Sequence, residues 1–281
     1  MSKPNLFFLI STILINLSLL NLFAYKQSQL SPYLKIDYLD VGQGDGALIS
    51  FPYGPQLIID AGPDKNFLRS LSRNLNFFDR TIDYLLITHA HDDHFVGAVE
   101  LIRRYKVGSI ILSNYDSKDL GYNYLIKEAN RNNVSITKID YETQQKINGV
   151  NILYIPPTLG EKNTNNQSLL VKINYGLTSF LFMGDLEADG EKRLLEKNLN
   201  FSAQVIKAGH HGSKTSSSKK LLFAVNPQLA VISVGENKFG HPSEITINRL
   251  KKLGISIYRT DQKSDIHLIS DGKTIKNKGK N

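Results

Sequence analysis

The sequence predicts an α/β domain built from two β-sheets that carry helices on their outer faces. Short apolar or alternating segments bounded by Gly and Pro predict strands, and segments with apolar residues at helical spacing predict helices. Their order is repeated, because a strand-rich stretch followed by alternating helices and strands occurs in each half of the chain. The chain has 281 residues, of which 41% are hydrophobic, so it can bury a sizeable core. No linker rich in Pro, Gly or Ser divides residues 31–281, which we predict to form one domain.

The first half begins with a predicted meander of short strands and continues with alternating strands and helices. A helix is predicted over His94–Tyr105 because its apolar residues recur three and four positions apart. The other predicted elements are strands at Ile36–Val41, Ala47–Phe51, Gln56–Asp60, Ile82–Thr88, Ser109–Ser113 and Val134–Asp140, and a helix near Leu120–Asn132.

The second half repeats this alternation. A helix is predicted near Glu187–Asn198, and a later helix is predicted to begin after the capping residue Ser243 and to end at Gly254. The predicted strands are Ser168–Tyr175, Ser179–Met183, Ala203–Ala208, Leu229–Val234, Ile255–Tyr258 and Ile266–Ser270. The two halves therefore predict two sheets of similar build.

The composition excludes several classes of protein. A charged fraction of 21% together with 13 Phe and 13 Tyr is not that of a disordered chain. The absence of Cys excludes a disulfide scaffold, a Cys-ligated zinc or iron–sulfur site and a thiol nucleophile. The formal charge of +8 favours anionic partners such as nucleic acid, teichoic acid or an acidic membrane surface, although a general bias towards Lys, Asn and Ile explains it equally well.

Residues 1–30 are predicted to be a signal peptide or an uncleaved N-terminal membrane anchor. Leu6–Ala24 is an apolar run of about membrane-spanning length. Its polar residues do not fall on one helical face, which argues against a helix lying on the membrane surface. Leu22-Phe23-Ala24 is a loose match to a cleavage site, so both interpretations stay open. Either one predicts an extracytoplasmic protein that is secreted or anchored to a membrane.

The segment from Thr88 to His94 contains the densest set of chemically active side chains. It reads THAHDDH, follows a predicted strand, opens a helix and holds three of the 7 His in the chain. Imidazole nitrogens and carboxylate oxygens are ligands that suit Zn²⁺ or Mn²⁺. Alternate side chains in a turn can face one ion, which predicts His89 and His91 as ligands of a first cation. Asp93 and His94, entering the helix, are predicted to bind a second cation.

Two carboxylates that follow predicted strands have two possible roles each. Asp185 either bridges the two cations or caps the helix that follows it. Asp60 either orients a metal-binding imidazole or makes an ordinary Asx-turn. The histidine cluster favours the bridging role for Asp185 and does not decide between the two roles of Asp60.

A second pair of histidines, His210 and His211, follows a predicted strand and precedes a Ser-rich segment. Adjacent side chains diverge, so one of the pair is expected to bind metal directly. We expect His210 to be a ligand of the second cation. His211 is then expected to act as an acid/base group or to support a ligand, although the order can be reversed.

These motifs resemble the metallo-β-lactamase superfamily, whose signature is His-x-His-x-Asp-His after a strand. Further motifs resemble one branch, the metallo-β-lactamase-like domain of the competence DNA-uptake protein ComEC and its free-standing relatives. They are LDVGQGD at 39–45, IIDAG at 58–62, NQSLL at 166–170, FMGD at 182–185, KAGHHGS at 207–213 and GHP at 240–242. The resemblance runs from about residue 33 to about residue 273. It implies a four-layer αββα sandwich in a bacterial protein and a bridging role for Asp185.

The resemblance also implies roles outside the two clusters. Relatives place a histidine near the metals at the position of His241, as a ligand or a proton donor. Asp45, in the first of the motifs, is implied to support a ligand or to contact substrate. Both residues are therefore candidates for the site.

The chain departs from many members of this superfamily at one ligand position. Such members supply a further histidine between the first cluster and the Gly-Asp motif, whereas none occurs here between His94 and His210. Asn166 or Ser168 is expected to substitute weakly or to leave a water, so that one site is labile or prefers a harder ion such as Mn²⁺.

We predict a hydrolase in which two divalent cations, Zn²⁺ or Mn²⁺, hold a nucleophilic hydroxide. Cations can lower the pKa of a bound water from ~15.7 towards ~7. His241 or His211 is expected to protonate the leaving group. Asp93 is assigned to the catalytic group as well as to the metal ligands.

The predicted substrate is a phosphodiester, with DNA preferred. Positive charge is expected beside the second histidine pair from Lys207, Lys214, Lys219 and Lys220. The hydroxyls of Ser213–Ser218 and the start of the following helix are expected to hold phosphate oxygens. The loop with Tyr115, Tyr122 and Tyr124 can stack bases, or these can be ordinary core or surface residues. The predicted partners are DNA, a membrane through the N-terminal segment, and a DNA-uptake channel protein.

Two other functions fit the sequence. A cell-wall or phospholipid phosphodiesterase, such as a phosphorylcholine esterase, suits the leader and the basic composition equally well. A metal-stabilised DNA-binding accessory module without turnover is the third possibility, and the nearly complete set of ligands argues against it.

Overall fold

Two mixed β-sheets and eight α-helices make up the part of the chain that a computed structural model describes, residues 6–29, 31–76 and 78–279. The helices are α1 Leu6–Gln29, α2 Asn66–Asn74, α3 Asp92–Arg104, α4 Leu120–Arg131, α5 Ala188–Leu195, α6 Lys219–Val225, α7 Glu244–Lys252 and α8 Thr260–Lys263. The strands are β1 Leu34–Tyr38, β2 Gly46–Ser50, β3 Gln56–Ala61, β4 Thr81–Ile87, β5 Lys106–Ser113, β6 Ser135–Ile139, β7 Thr143–Ile147, β8 Val150–Ile155, β9 Leu170–Tyr175, β10 Thr178–Phe182, β11 Val205–Lys207, β12 Leu229–Ile232, β13 Ser256–Arg259, β14 Ile266–Ser270 and β15 Ile275–Asn277.

Each sheet has an antiparallel half that continues into a parallel half. The first sheet has eight strands in the order β15-β14-β1-β2-β3-β4-β5-β6, antiparallel from β15 to β3 and parallel from β3 to β6. The second has seven strands in the order β13-β12-β11-β10-β9-β8-β7, antiparallel from β7 to β10 and parallel from β10 to β13. The repeated element order of the sequence therefore corresponds to two sheets of similar pairing.

Three buried apolar clusters show that the layers are stacked helix, sheet, sheet, helix. One cluster lies between the two sheets, where the rings of Tyr38 and Phe182 stack with centroids 5.6 Å apart. A second cluster joins the outer face of the first sheet to α2, α3 and α4. A third joins the outer face of the second sheet to α5, α6 and α7. This is the four-layer αββα arrangement that the sequence predicts.

Burial on both faces explains why the central strands are continuously apolar. Successive side chains of a strand point to opposite faces of its sheet. In β3, Leu57 and Ile59 therefore enter the cluster between the sheets, whereas Ile58 enters the cluster beneath the helices. Such strands lack the alternation of a half-exposed strand.

The N-terminal segment forms α1, a helix of 24 residues. Several of its apolar side chains are exposed, including Phe8 at 72% and Leu20 at 63%. Within the described residues, no helix combines the length and the apolar character needed to cross a membrane. Residues 1–5 and 30 of the predicted leader lie outside the described part of the chain.

Four features have no counterpart in the sequence prediction: α2, the β7–β8 hairpin, α8 and β15. β7 is an edge strand with the sequence TQQKI, and its first four residues are at most half-buried. It therefore lacks the apolar signal of a strand. The Asn148-Gly149 turn between β7 and β8 is the sequence signal that marks this hairpin.

The carboxyl ends of the parallel strands bring the polar motifs of the sequence together. Asp60 lies at the end of β3, His89 follows β4, Asp185 follows β10 and His211 follows β11. The first two strands belong to one sheet and the last two to the other, so the functional side chains gather at one edge of the sandwich.

Candidate metal centre

Three histidines lie where the chain turns from β4 into α3. β4 ends at Ile87, and α3 begins at Asp92 directly after His91, whose backbone is extended. His89 Nε2 and His91 Nδ1 are 3.1 Å apart. The turn therefore brings these two imidazoles to one point.

Asp185 approaches the same point from the second sheet. It follows β10, is 1% exposed, and places its Oδ2 3.9 Å from His89 Nε2. His89, His91 and Asp185 each offer one ligand atom, and these atoms lie within 4.8 Å of one another. We refer to these three residues as the first site.

Asp93, His94 and His211 form a second group, whose ligand atoms also lie within 4.8 Å of one another. His211 Nε2 is 3.1 Å from Asp93 Oδ2, and His94 Nε2 is 3.8 Å from Asp93 Oδ1. Residues from both sheets therefore contribute to this group, which we refer to as the second site.

Asp185 lies between the two sites. Its Oδ1 is 3.3 Å from His94 Nε2, and its Oδ2 is 3.5 Å from His211 Nε2. One carboxylate in contact with ligands of both sites has the position of a bridging group. The helix-cap alternative does not apply to Asp185, because α5 begins at Ala188 and Glu187 occupies its N-cap position.

Gly184 and Ser168 fix the backbone at Asp185. Gly184 has φ of +50°, and a Cβ at this position would lie 2.7 Å from Ser168 Oγ. The Asp185 N–H donates to Ser168 Oγ at 3.0 Å, and Ser168 Oγ donates to the Asn165 carbonyl at 2.7 Å. Ser168 Oγ is also 3.4 Å from His89 Nδ1. Ser168 therefore supports two members of the first site.

The unpaired atoms of these side chains fit metal ions. Among the described residues, His94 Nε2, His211 Nε2 and Asp185 Oδ1 are buried and have no hydrogen-bond partner. Carboxylate oxygens lie 3.1–3.5 Å from the two nitrogens without making a well-aligned hydrogen bond to them. Imidazole nitrogens and carboxylate oxygens of this kind are donors for Zn²⁺ or Mn²⁺. The residues therefore fit the two divalent cations that the sequence predicts.

Asp60 contacts one of the candidate ligands. Its Oδ2 lies 2.8 Å from His94 Nδ1 and accepts a hydrogen bond from the Thr88 hydroxyl at 2.8 Å. Its Oδ1 accepts from the Thr88 N–H at 2.8 Å. Asp60 is fully buried. A carboxylate on Nδ1 orients the ring and leaves Nε2 for a metal.

Asp45 and Lys207 form a buried ion pair beside His211. Lys207, which is 3% exposed, places its Nζ against Asp45 Oδ2. Asp45 Oδ1 is 3.2 Å from His211 Nδ1, and the Ser233 carbonyl lies 3.0 Å from the same nitrogen. The carboxylate therefore contacts a candidate ligand on the side away from the second site. Burial raises the pKa of Asp45, but Lys207 and His211 outweigh it and lower the pKa below its ordinary value.

The structure groups His211, and not His210, with the candidate ligands of the second site. His211 is buried and belongs to the second site, whereas the side chain of His210 is 22% exposed and lies 3.3 Å from Glu187 Oε1. Both residues have left-handed backbone conformations, with φ of +49° and +51°. Neither strand alternation nor helical spacing applies to such a pair, which is why the sequence did not decide between them.

A cavity of about 200 Å³ opens beside the two sites. It is lined by Gln43, His91, Asp93, Asn165, Asp185, His210, His211, Phe239 and His241. His241 is half-buried, and its ring lies 5.1 Å from the ring of His210. The backbone N–H of His241 donates to Asn237 Oδ1. His241 therefore borders both the cavity and the second histidine pair. Glu187, Gln43 and Phe239 were not predicted, although Glu187 stands two residues after Asp185 in the sequence.

Asn166 and Ser213 are not among the candidate ligand groups and have partners of their own. Asn166 Oδ1 accepts from the Glu187 N–H at 2.9 Å, which holds the loop before α5. Ser213 Oγ is 3.0 Å from Thr215 Oγ1. Lys214 is exposed and does not line the cavity. Asn166 thus supports the backbone near Asp185, and no contact in the described structure assigns Ser213 or Lys214 to the site.

The Ser-rich segment is not free to bind phosphate as expected. The N–H groups of Ser217 and Ser218 donate to the buried carboxylate of Glu191, and the Ser216 hydroxyl donates to the Gly209 carbonyl at 2.6 Å. Ser218 Oγ caps α6. These groups are therefore used to hold α6 in place.

One further expectation for substrate binding is wrong, and for the three tyrosines the contacts favour the core or surface alternative. Lys207 is paired with Asp45 inside the protein and does not add to the surface charge. Tyr122 is buried against Phe95 with ring centroids 5.4 Å apart, and the Tyr124 hydroxyl accepts from Arg103 at 2.5 Å. The Tyr115 hydroxyl donates to the Thr158 carbonyl at 2.5 Å. These tyrosines therefore pack in the core or form hydrogen bonds that hold neighbouring segments together.

Carboxylates stabilise positive charge on two of the histidines. Burial opposes the charge of His211, but Asp185 and Asp45 outweigh burial and raise the pKa of His211 from 6.5 to about 9. In the same way, Asp185 and Asp60 raise the pKa of His94 well above its ordinary value. A cation that binds at these nitrogens therefore displaces protons.

Burial has the opposite effect on two other histidines. It lowers the pKa of His89 well below the ordinary value. Burial, together with the nearby His210 and His211, lowers the pKa of His241 from 6.5 to about 4. The His241 imidazole is therefore neutral at neutral pH.

Sequence comparisons give relatives for most of the chain. It is 27% identical over 251 residues to ComE operon protein 3 of Bacillus subtilis (strain 168), an alignment that covers 83% of this chain and 32% of that protein. It is 30% identical over 226 residues to Competence protein ComA of Neisseria gonorrhoeae, covering 79% of this chain and 30% of that protein. The chain thus spans about a third of the length of these curated relatives.

A solved structure and a family model agree with the observed fold. CmlA, a diiron β-hydroxylase from Streptomyces venezuelae, superposes with a TM-score of 0.58 at 14% identity, covering 85% of this chain and 54% of that one. This likeness concerns the fold alone. The model of the Metallo-beta-lactamase superfamily matches residues 40–236. The matched residues include every member of both candidate sites, and the chain belongs to the metallo-β-lactamase superfamily.

Proposed function

We propose that this protein is a metal-dependent phosphodiesterase that hydrolyses DNA with two divalent cations. One observation carries the proposal. Within the described chain, three buried atoms without hydrogen-bond partners, His94 Nε2, His211 Nε2 and Asp185 Oδ1, face one another where the two sheets meet. A protein that only needed stability would gain by pairing or replacing such groups. Their position beside an open cavity supports the binding of divalent cations.

Each cation would be held by one of the two sites, and Asp185 would be shared between them. The first site is His89, His91 and Asp185, and the second is Asp93, His94 and His211. When bound, two divalent cations activate water and neutralise the charge that develops on a phosphate. The protein contributes the fixed positions of these side chains, which Asp60, Asp45 and Ser168 hold from behind.

His210 and His241 are the candidates for proton transfer at the leaving group, since His211 belongs to the second site. Both line the cavity. His241, with a pKa of about 4, is neutral at neutral pH and is better suited to accept a proton than to donate one. His210 Nδ1 lies 3.3 Å from Glu187 Oε1, a contact that orients the ring at the cavity. We therefore assign proton donation to His210.

DNA is the substrate that the remaining observations favour. The curated relatives are competence proteins, and the chain has a formal charge of +8. Lys214, Lys219 and Lys220 are exposed after the second-site loop and can attract a polyanion. We further propose that the domain acts outside the cytoplasm near a membrane, where the exposed apolar residues of α1 attach it, and that a DNA-uptake channel protein is its partner.

Hydrolysis assays on the full chain test this function. Labelled single-stranded DNA, duplex DNA and p-nitrophenylphosphorylcholine are incubated with the protein in Mn²⁺ or Zn²⁺. We expect DNA cleavage that is lost in His91→Ala and Asp185→Asn. His267→Gln is the matched control, because this histidine contacts Asp37 at 2.8 Å and belongs to neither site.

Two outcomes would overturn the proposal. Cleavage of the choline ester without cleavage of DNA would identify a cell-wall or phospholipid phosphodiesterase. Metal-dependent DNA binding without hydrolysis of any ester would identify an accessory module.

A further inference from the structure

Phe239 presents an aromatic ring at the mouth of the cavity. The residue is 73% exposed and yet lines the same cavity as His91, Asp185 and His210. Its ring lies 5.8 Å from the ring of His241, with an angle of 32° between the two planes. An apolar face therefore borders a group of side chains that suits metal ions and phosphate.

The loop that carries Phe239 is held by one side chain. Asn237 Oδ1 accepts from the N–H groups of Phe239 and His241, each at 3.0 Å. Asn237 Nδ2 donates to the carbonyls of Gly235 and His241, each at 2.8 Å. These four hydrogen bonds fix the backbone on both sides of Phe239, so the point from which the ring extends at the cavity mouth is defined.

The exposure of Phe239 alone does not indicate a role, because a single exposed phenylalanine is common on protein surfaces. Phe223 on α6 is 69% exposed, for example, and does not line the cavity. Phe239 differs in that it is next to the candidate catalytic groups. A substrate held there by its phosphate would extend its next group across the ring.

We infer that Phe239 is a platform on which a nucleobase beside the scissile phosphate stacks. This inference rests on the proposed function and makes it more specific. Base stacking on one aromatic ring contributes about 1–3 kcal/mol and requires a base that is not already stacked within a duplex. The platform therefore selects single-stranded DNA.

A quaternary ammonium group is the other ligand that aromatic rings attract, and it is bound by cages of several rings. Phe239 is the one Phe, Tyr or Trp among the described residues that line this cavity. A single aromatic ring suits the stacking of a flat base. Binding of a choline group is the competing result that the experiments below can reveal.

The first measurement uses a single-stranded oligonucleotide that contains 2-aminopurine, whose fluorescence falls on stacking. The protein has no Trp, so its own emission does not interfere. With a phosphorothioate oligonucleotide that resists hydrolysis, and in Zn²⁺ so that the metal sites stay filled, we expect quenching by the native protein and by Phe239→Tyr. Phe239→Ala and Phe239→Leu are expected to quench weakly, and Phe223→Ala is expected to behave like the native protein.

The second measurement is hydrolysis in Mn²⁺. Phe239→Ala is expected to raise KM for single-stranded DNA about ten-fold and to leave kcat within about two-fold, because the ring binds a remote part of the substrate. An oligonucleotide with an abasic position beside the scissile phosphate is expected to lose this difference between the native protein and Phe239→Ala.

The outcomes separate this inference from the proposed function. DNA hydrolysis with the same KM and the same quenching in Phe239→Ala would overturn the platform and leave the function intact. Quenching that depends on Phe239 in a protein that hydrolyses no DNA would support the platform and overturn the function. Native behaviour of Phe239→Leu, or an effect confined to the choline ester, would also overturn base stacking.

Discussion

The Asp60 carboxylate lies 2.8 Å from His94 Nδ1, and the opposite nitrogen of the same ring, Nε2, faces Asp185 Oδ1 at 3.3 Å. The two carboxylates thus stand on opposite sides of one imidazole. Asp60 is also fixed by two hydrogen bonds from Thr88. The His94 ring therefore has a set orientation before any cation binds.

Asp60→Asn is expected to weaken metal binding at the second site 10–100-fold, the range typical for the loss of such a partner. The amide cannot supply the negative charge that makes His94 a better ligand. Isothermal titration with Mn²⁺ or Zn²⁺ measures the effect. Asp83→Asn is the control, because Asp83 accepts a hydrogen bond from the Gln56 N–H near the opposite end of β4. Equal affinities of the two variants would contradict the role of Asp60.

Gly184→Ala is expected to displace Asp185 and to lower metal affinity by at least about ten-fold. The new Cβ would lie 2.7 Å from Ser168 Oγ, which itself accepts from the Asp185 N–H. Gly254→Ala separates this clash from backbone strain. Gly254 has φ of +70° and nothing within 4 Å of its Cβ position. Backbone strain should cost both variants about 1–2 kcal/mol of stability. Gly184→Ala should lose more because of the clash, and only Gly184→Ala should bind metal weakly.

Local spacing was sufficient to predict the first cluster. His89, His91, Asp93 and His94 are separated by one or two positions on a strand-to-helix turn, so their convergence follows from the course of the backbone. The central strands were predictable for a similar reason, because burial on both faces gives continuous apolar runs. Short-range patterns therefore determined the elements and one half of the centre.

The features that the sequence did not predict depend on contacts between distant residues and on an irregular backbone. Lysine is almost never fully buried unless it is paired, so Lys207 was predicted to lie on the surface. Its partner, Asp45, lies in the loop directly before β2 of the other sheet and is far away in the chain. The choice between His210 and His211 depends on two consecutive left-handed residues, which no periodicity describes. Phe239 carries no signal in the sequence apart from its proximity to His241.

The metal-free protein is expected to lose stability as the pH rises from 6.5 to 9. His211 has its pKa raised from 6.5 to about 9 by Asp185 and Asp45 against the effect of burial. Its charge therefore stabilises the folded state fully below pH 6.5, and this contribution disappears as pH passes about 9. The shift corresponds to about 3 kcal/mol. Urea denaturation in EDTA measures the change, and His211→Gln should reduce it. Stability that rises over this interval would contradict the environment of His211.

Replacement of His210 and replacement of His241 are expected to differ in how their effect on activity depends on the leaving group of the substrate. If His210 donates the proton, His210→Gln should reduce cleavage of DNA about 10²–10⁴-fold and have little effect on a p-nitrophenyl phosphodiester, whose leaving group needs no proton. His241→Gln should affect both substrates to a similar degree, because His241 is neutral at neutral pH. The ratio of kcat/KM for the two substrates measures the difference. An equal ratio in both variants would contradict the assignment of His210.

Substitutions at the buried pair of Asp45 and Lys207 are expected to change stability and metal binding independently. Lys207→Met leaves Asp45 buried without its cation and should cost about 3–5 kcal/mol of unfolding free energy in urea. Combining it with Asp45→Asn removes both charges and should restore much of that stability. The double variant should nevertheless bind metal about 10-fold more weakly at the second site, because His211 Nδ1 has lost its carboxylate and keeps only the Ser233 carbonyl. Full recovery of both properties would mean that the pair serves the fold alone.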